Sequence, residues 1–327
     1  MDKGNTIIDL IDHCRGHHVY IQTHNFPDPD AIASGYGLQQ LFKYFGIEST
    51  ICYVGRIDHL STRKMTESLG IDIRSKEEFI SGMSPDDYII CVDSQKGAGN
   101  IEDLEGDEIA AIDHHPLKEN GNMFFRDIRI VGSCATIIAG YFRELGVPVD
   151  VNIATALLYG LKMDTLNLTR GVTEEDIDVY GFLFAYADES IIRKLEKNSM
   201  EFDNLRAYGD AIKNMVLYDN VGFAKIEFSC PDALVAIVAD FILSLIEVEV
   251  AVVYATRDDG WKFSVRSEIP SVDAGILTES ALNGIGSGGG HSFMAGGMIR
   301  LEDVDKLGPE PEDRIQELFM TAIKIFN

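Results

Sequence analysis

Apolar residues in this chain come in short unbroken runs, each followed by a helical period, and polar residues gather where the runs end. His18-Val-Tyr-Ile-Gln-Thr23 predicts a buried strand. Ile32, Tyr36, Leu38, Leu41, Phe42 and Phe45 then fall near one helical face, which Gly46 stops. A helix over 7–14 precedes this pair, and a second strand over 48–54 follows it. Tyr88-Ile-Ile-Cys-Val92 and Ile109-Ala-Ala-Ile112 are further apolar strands, closing on Asp93 and Asp113. Helices are predicted from Gly132 to about Leu145, from Asp150 to Met163, and from the capping box Thr173-Glu-Glu-Asp176. Strands alternating with helices mark a parallel sheet, where function gathers at the carboxyl ends of the strands.

The pattern changes after residue 187. From Asp188 to Leu217 it is charged and helical with few core positions, and reads as a helical linker. Strands over 221–228 and 248–256 flank an apolar helix over 232–246. The turn Arg257-Asp-Asp-Gly260 leads into a strand over 262–267. A helix over 274–282, a glycine cluster, a strand over 293–300 and a helix over 312–325 complete the chain. The expected fold is α/β: an N-terminal parallel-sheet domain with flanking helices over 1–187, a helical linker over 188–217, and a smaller α/β domain over 218–327.

Composition narrows the partners. The 327 residues suffice for two cores, and 53 acidic against 28 basic side chains leave a net charge of −25. Long duplex nucleic acid is excluded, because its phosphates need a basic surface. A phosphate-bearing ligand is expected to be short, its charge met by metal ions and a few placed cations. Five scattered cysteines without a Cys-x-x-Cys pair, and an N-terminus without a secretory pattern, predict a reduced cytoplasmic protein. The apolar run from Ala233 to Ile246 is broken by Asp240 and Ser244, so no membrane partner is expected.

His24, Asp28, Asp30, Asp93, Asp113, His114, His115 and Asp164 each stand at the end of a predicted strand or helix. A single acid there is an ordinary cap, and Asp28 or Asp30 suits the helix that follows them. So many carboxylates would repel one another unless cations lay between them. Two divalent metals about 3.5–4 Å apart, sharing a carboxylate, relieve that repulsion. Imidazole and carboxylate donors without thiolate suit Mn²⁺ first, then Mg²⁺, with Zn²⁺ also compatible. Ser133 or Thr136 can cap the helix near 133, whose free N–H groups can also hold an anion.

His24-x-x-x-Asp28-x-Asp30, Asp93, Asp113-His114-His115 and Gly160-x-x-x-Asp164-Thr165 resemble, in order, the four motifs of the DHH phosphoesterase superfamily. That superfamily includes RecJ-like exonucleases, oligoribonucleases that also act on 3′-phosphoadenosine 5′-phosphate, cyclic-dinucleotide phosphodiesterases and manganese pyrophosphatases. The resemblance implies that His24, Asp28 and Asp93 hold one metal, and that Asp30, Asp93, His114 and Asp164 hold the second, with Asp93 bridging. His115 would face the substrate phosphate, and Asp113 would orient its neighbour.

In the second half, Ser264-Val-Arg266-Ser267 and Gly288-Gly289-Gly290-His291 resemble the arginine and glycine motifs of the DHH-associated C-terminal domain. Glycines let the backbone approach a phosphate or base closely, and a guanidinium grips phosphate with two hydrogen bonds. The pyrophosphatases carry an Arg–Lys clamp instead, and no such pair is expected beside this glycine cluster. The resemblance therefore implies a metal-dependent hydrolase in which a hydroxide bridging the metals cleaves P–O bonds of nanoRNA, linear dinucleotides or 3′-phosphoadenosine 5′-phosphate. Its rivals are a pyrophosphatase or exopolyphosphatase of the same superfamily, and a non-catalytic nucleotide sensor. A homodimer is the assembly to test.

Overall fold

Five consecutive buried residues, Val19–Thr23, form the strand β1 on which the first half of the molecule is assembled. The computed structural model describes residues 5–58, 60–117, 123–197, 202 and 204–326. The chain divides into two units, residues 1–199 and 200–327.

The first unit runs α1 (Ile7–His13), β1, α2 (Pro29–Tyr44), β2 (Ser49–Tyr53), α3 (Leu60–Leu69), β3 (Ile73–Ser75), α4 (Lys76–Phe79), β4 (Tyr88–Val92), β5 (Asp107–Asp113) and β6 (Phe125–Ile128). Four helices follow: α5 (Cys134–Leu145), α6 (Val151–Asp164), α7 (Glu174–Phe184) and α8 (Glu189–Lys197). The sheet order is β3-β2-β1-β4-β5-β6, and every neighbouring pair is parallel. Side chains alternate across it: Val19, Ile21, Ile90 and Val92 join the large core under α2, α5 and α6, while Tyr20, Ile89 and Cys91 join a smaller cluster with Phe79 of α4. Both faces are covered, which is why these strands read as continuous apolar runs. The strand order reverses between β1 and β4, so the loops after Thr23 and Val92 leave the sheet side by side at a switch point.

The second unit contains α9 (Asn204–Lys213), β7 (Val216–Tyr218), β8 (Val221–Ile226), α10 (Asp232–Leu243), β9 (Val250–Arg257), β10 (Gly260–Ser267), α11 (Ala274–Leu282), β11 (Ser287–Gly290), β12 (Met294–Arg300) and α12 (Pro311–Ala322). Its sheet, ordered β11-β12-β10-β9-β8-β7, is antiparallel except for the β8–β9 pair, whose crossover is α10. Val235 and Val238 of α10 pack on one face of the sheet, and Leu277 of α11 and Phe319 of α12 pack on the other.

Three features depart from the sequence reading. The expected helical linker over 188–217 is divided between the units. Ile192 and Leu195 of α8 belong to the first core, Ala207 and Ala211 of α9 to the second, and Val216–Tyr218 is a strand. Residues 198–201 and 203 of that segment lie outside the described residues. The short strands β3 and β6 were not expected, being half polar and only three and four residues long. The glycine cluster is a strand as well. Gly288 pairs with Gly297, and a Cβ on Gly288 would stand 2.6 Å from Thr278 Cγ2, so only glycine lets α11 lie this close. Among the described residues no helix is long and apolar enough to cross a membrane.

Candidate metal centre and substrate pocket

The loop after β1 is shaped by its own polar groups. Asp28 caps α2, accepting from Ala31 N at 3.0 Å, and Pro29 occupies the first turn, where no amide hydrogen is needed. Asp30 does not cap its own helix. Its two carboxylate oxygens accept from Cys134 N (2.7 Å) and Ala135 N (3.0 Å), the first amides of α5. The place at that helix N-terminus that was open to an anion is thus taken by a side chain of the protein itself. Ser133 supplies the side-chain cap of α5, accepting from Thr136 N at 3.2 Å. Gly160 of α6 makes room for this arrangement, since a Cβ there would lie 3.1 Å from Asp30 Oδ1.

Asp93, just past β4, holds a left-handed backbone (φ 57°) and is 2% exposed. Its Oδ2 lies 3.7 Å from His24 Nε2, which is also 3.9 Å from Asp28 Oδ1. Its Oδ1 is buried, meets His114 Nε2 at 3.3 Å as an ion pair, and receives no hydrogen bond. Asp164, at the end of α6, lies 3.2 Å from the same His114 nitrogen. The other ring nitrogen of His114, Nδ1, faces Val131 O at 3.1 Å; a carbonyl only accepts, so Nδ1 carries the proton in that bond.

These contacts gather the eight residues singled out in the sequence. His24, Asp28 and Asp93 form one group of converging donor atoms, and Asp30, His114 and Asp164 form another. Asp93, Asp113, His114 and His115 form a third. Asp113 accepts from the ring (2.8 Å) and the backbone (3.1 Å) of His115, and from Gln95 Nε2 at 2.8 Å. The neighbour it orients is therefore His115. Sequence reading missed Gln95, which is 3% exposed, and Arg170, which donates to the Asp164 carbonyl at 2.7 Å. Gln95 had a faint signal, lying two residues beyond an acid at a strand end. Arg170 had none.

The electrostatics are those of crowded carboxylates. Burial and the like charges of Asp93 and Asp164 push the Asp30 carboxyl well above the usual range. Burial, with Asp28 and Asp93 nearby, raises Asp164 to about 6. Burial opposes charge on His24 and His114 too, but the acids facing them outweigh it and carry the imidazoles up to about 10 and about 11. A buried carboxylate oxygen without a donor, amid nitrogen and oxygen ligands and no thiolate in any of the groups, fits a divalent cation.

In the second unit, β10 directs Lys262, Ser264 and Arg266 into a cavity of about 340 Å³, also lined by Gly290, His291, Gly296 and Asp232. Arg266 donates to Asp240 (2.5 Å) and to Ser264 Oγ (2.9 Å), so its guanidinium is held in place. His291 stands at the β11–β12 turn, its amide bonded to Met294 O at 2.7 Å, with its ring stacked on Phe293. Gly288 and Gly289, neighbours of Gly290 in β11, pair with Gly297 and Gly296 of β12. Lys262 corrects an expectation. It and Arg266 are on the same face of one strand, so a Lys–Arg pair does border the glycine cluster. Lys262 is paired with Asp232 at 2.8 Å.

Residues 18–161 match the DHH family N-terminal domain, and residues 218–318 match the DHHA1 domain. The chain belongs to the DHH phosphoesterase family. The DHH match ends before Asp164, the last acid of the metal cluster. Among its relatives, an uncharacterized protein of Methanocaldococcus jannaschii is 30% identical over 86% of this chain and 58% of its own length. A probable manganese-dependent inorganic pyrophosphatase of Streptococcus pyogenes is 24% identical, covering 86% of this chain and 94% of that protein. The cyclic-di-AMP phosphodiesterase GdpP of Bacillus subtilis is 26% identical over 94% of this chain but only 48% of that protein. The fold matches the solved structure of an exopolyphosphatase-related protein from Bacteroides fragilis, with a TM-score of 0.78 at 18% identity over 97% of this chain and 96% of that one.

Proposed function

We propose that this DHH protein is a two-metal phosphoesterase that hydrolyses P–O bonds in short nucleotidic substrates such as nanoRNA, linear dinucleotides or 3′-phosphoadenosine 5′-phosphate. The observation that carries the reading is the pair of ligand groups on either side of Asp93, whose buried oxygen lacks a donor. His24, Asp28 and Asp93 would hold one ion, and Asp30, Asp93, His114 and Asp164 the other. Mn²⁺ is favoured by the donor set and by the manganese dependence in the name of the streptococcal relative. When bound, such ions supply a water of lowered pKa and positive charge at the phosphoryl oxygens. Asp113, itself bonded to Gln95, orients His115, which would face the phosphate. In the second unit Arg266 and the Gly288–His291 segment would hold the nucleotide. A reduced, cytoplasmic protein with no long duplex partner is the setting this reading requires, and a homodimer is compatible with it.

A second reading, a pyrophosphatase or exopolyphosphatase, is favoured by Lys262 beside Arg266 and by the name of the streptococcal relative. One assay separates the two readings. The full chain with added Mn²⁺ is offered 3′-phosphoadenosine 5′-phosphate, pApA, five-residue RNA, a cyclic dinucleotide, pyrophosphate and polyphosphate. The nucleotide reading expects the highest kcat/KM on one of the linear nucleotides. Faster turnover of pyrophosphate or polyphosphate than of every nucleotide overturns it. Saturable nucleotide binding without hydrolysis under any divalent metal would make the protein a sensor.

A further inference from the structure

Phe26 lies between His24 and Asp28 and is out of keeping with the apolar residues around it. The apolar side chains of β1 and the first turns of α2 are buried, whereas Phe26 is 51% exposed. Its backbone is left-handed (φ 56°), a conformation that disfavours a bulky side chain and that glycine or asparagine adopts at lower cost. The loop is nevertheless pinned on both sides. Phe26 N donates to Val54 O at 3.1 Å, and Asn25 N donates to Asn100 O at 2.7 Å. The ring rests against Gly55, where a Cβ would come within 2.9 Å of it. Strain of this kind persists where the surrounding structure enforces it, and it gathers at functional sites. Neither burial nor the turn itself explains an exposed phenyl ring in this position.

We infer that Phe26 is a stacking platform for a nucleobase of the substrate, set beside the metal ligands so that the base next to the scissile phosphate lies against its ring. The inference rests on the nucleotide reading above and adds the element that distinguishes nucleotides from inorganic phosphates, which have no ring to stack. Base–aromatic stacking tolerates any base, so Phe26 contributes affinity for nucleotides as a class. A ring fixed by a rigid loop loses little freedom on binding, which favours its use as an anchor.

The test is steady-state hydrolysis of pApA by the full chain with Mn²⁺, comparing Phe26→Ala, Phe26→Gly and Phe26→Trp with the parent. Melting temperature and calorimetric Mn²⁺ affinity are recorded for each. Removing the ring is expected to raise KM about tenfold to a hundredfold, with kcat changed far less. Trp is expected to restore KM to within about threefold of the parent. Gly is expected to match Ala in KM while melting no lower than the parent, because it relieves the left-handed strain. If Phe26→Gly keeps the parental KM, the inference fails while the nucleotide reading stands. If Phe26→Ala loses Mn²⁺ affinity or stability in proportion to activity, the ring is structural and the inference fails. If the parent cleaves pyrophosphate but none of the nucleotides, the nucleotide reading itself has failed.

Discussion

The two units handle charge in opposite ways. In the first, the acids at the strand ends are buried and crowded, with Asp30, Asp93 and Asp113 each no more than 2% exposed and held by backbone amides, imidazoles and a buried glutamine. In the second, the cations Lys262 and Arg266 line an open cavity, each paired with an acid from α10. The first arrangement stores negative charge where water cannot screen it, which makes a strong cation site. The second sets its positive charge in a cavity wall, each cation already held by one acid, which suits docking of a phosphate. Under the proposed function, variants in the first unit should change the chemistry and variants in the second the binding of substrate.

The largest effect is expected from Asp93→Asn. Asparagine tolerates the left-handed backbone, so the change removes charge with little distortion. Turnover should fall about a thousandfold or more, and calorimetric Mn²⁺ binding should be lost with it. Full activity with Mn²⁺ in this variant would remove Asp93 from the centre of the site. His291→Ala should do the reverse, raising KM for a nucleotide about tenfold while Mn²⁺ affinity holds. An unchanged KM would mean that the glycine strand does not hold substrate, and the contrast between the units would fail. Gln95→Leu sharpens the picture within the first unit. Freed from Gln95, Asp113 orients His115 less well, so kcat should drop about tenfold with metal stoichiometry intact. Loss of metal instead would make Gln95 part of the ion-binding scaffold.

The smallest effect on chemistry, though not on the fold, is expected at Asp176. It is fully buried, accepts from Gly132 N (2.8 Å) and Thr136 Oγ1 (2.5 Å), and closes the capping box of α7 with Thr173. Asp176→Ala strands those donors and should lower stability by about 2–3 kcal/mol in denaturant titration. A loss below about 0.5 kcal/mol would show that the α5–α7 junction relies on packing instead.

What was legible in the sequence follows from which interactions are local. β1, β4 and β5 could be read because a strand buried on both faces must be apolar throughout, and the acids that end them therefore stand out. The cap on α2 and the capping box at Thr173 could be read because each spans only a few residues. Asp30's true partners could not, because Cys134 lies 104 residues further along the chain. β6 was hidden by Arg126 and Asp127, tolerable only at a sheet edge. β11 was hidden by its composition, since glycine-rich segments are usually loops. Here the closeness of α11 demands glycine, and pairing with β12 makes it a strand. Lys262 could be read only as the start of its strand, because the pairing of β10 with β12 that brings it beside the glycine cluster is not local.

The grip of α5 on Asp30 has a consequence for how such a centre is filled. A chain emerging from the ribosome exposes His24, Asp28 and Asp30 long before Asp164 exists, and Asp30 is placed only once the amides of Cys134 and Ala135 have folded against it. The first ligands alone thus do not make the site, in contrast to a small zinc-dependent module whose few ligands lie close in sequence. Asp30 is placed by packing and by the amides of α5, without help from an ion.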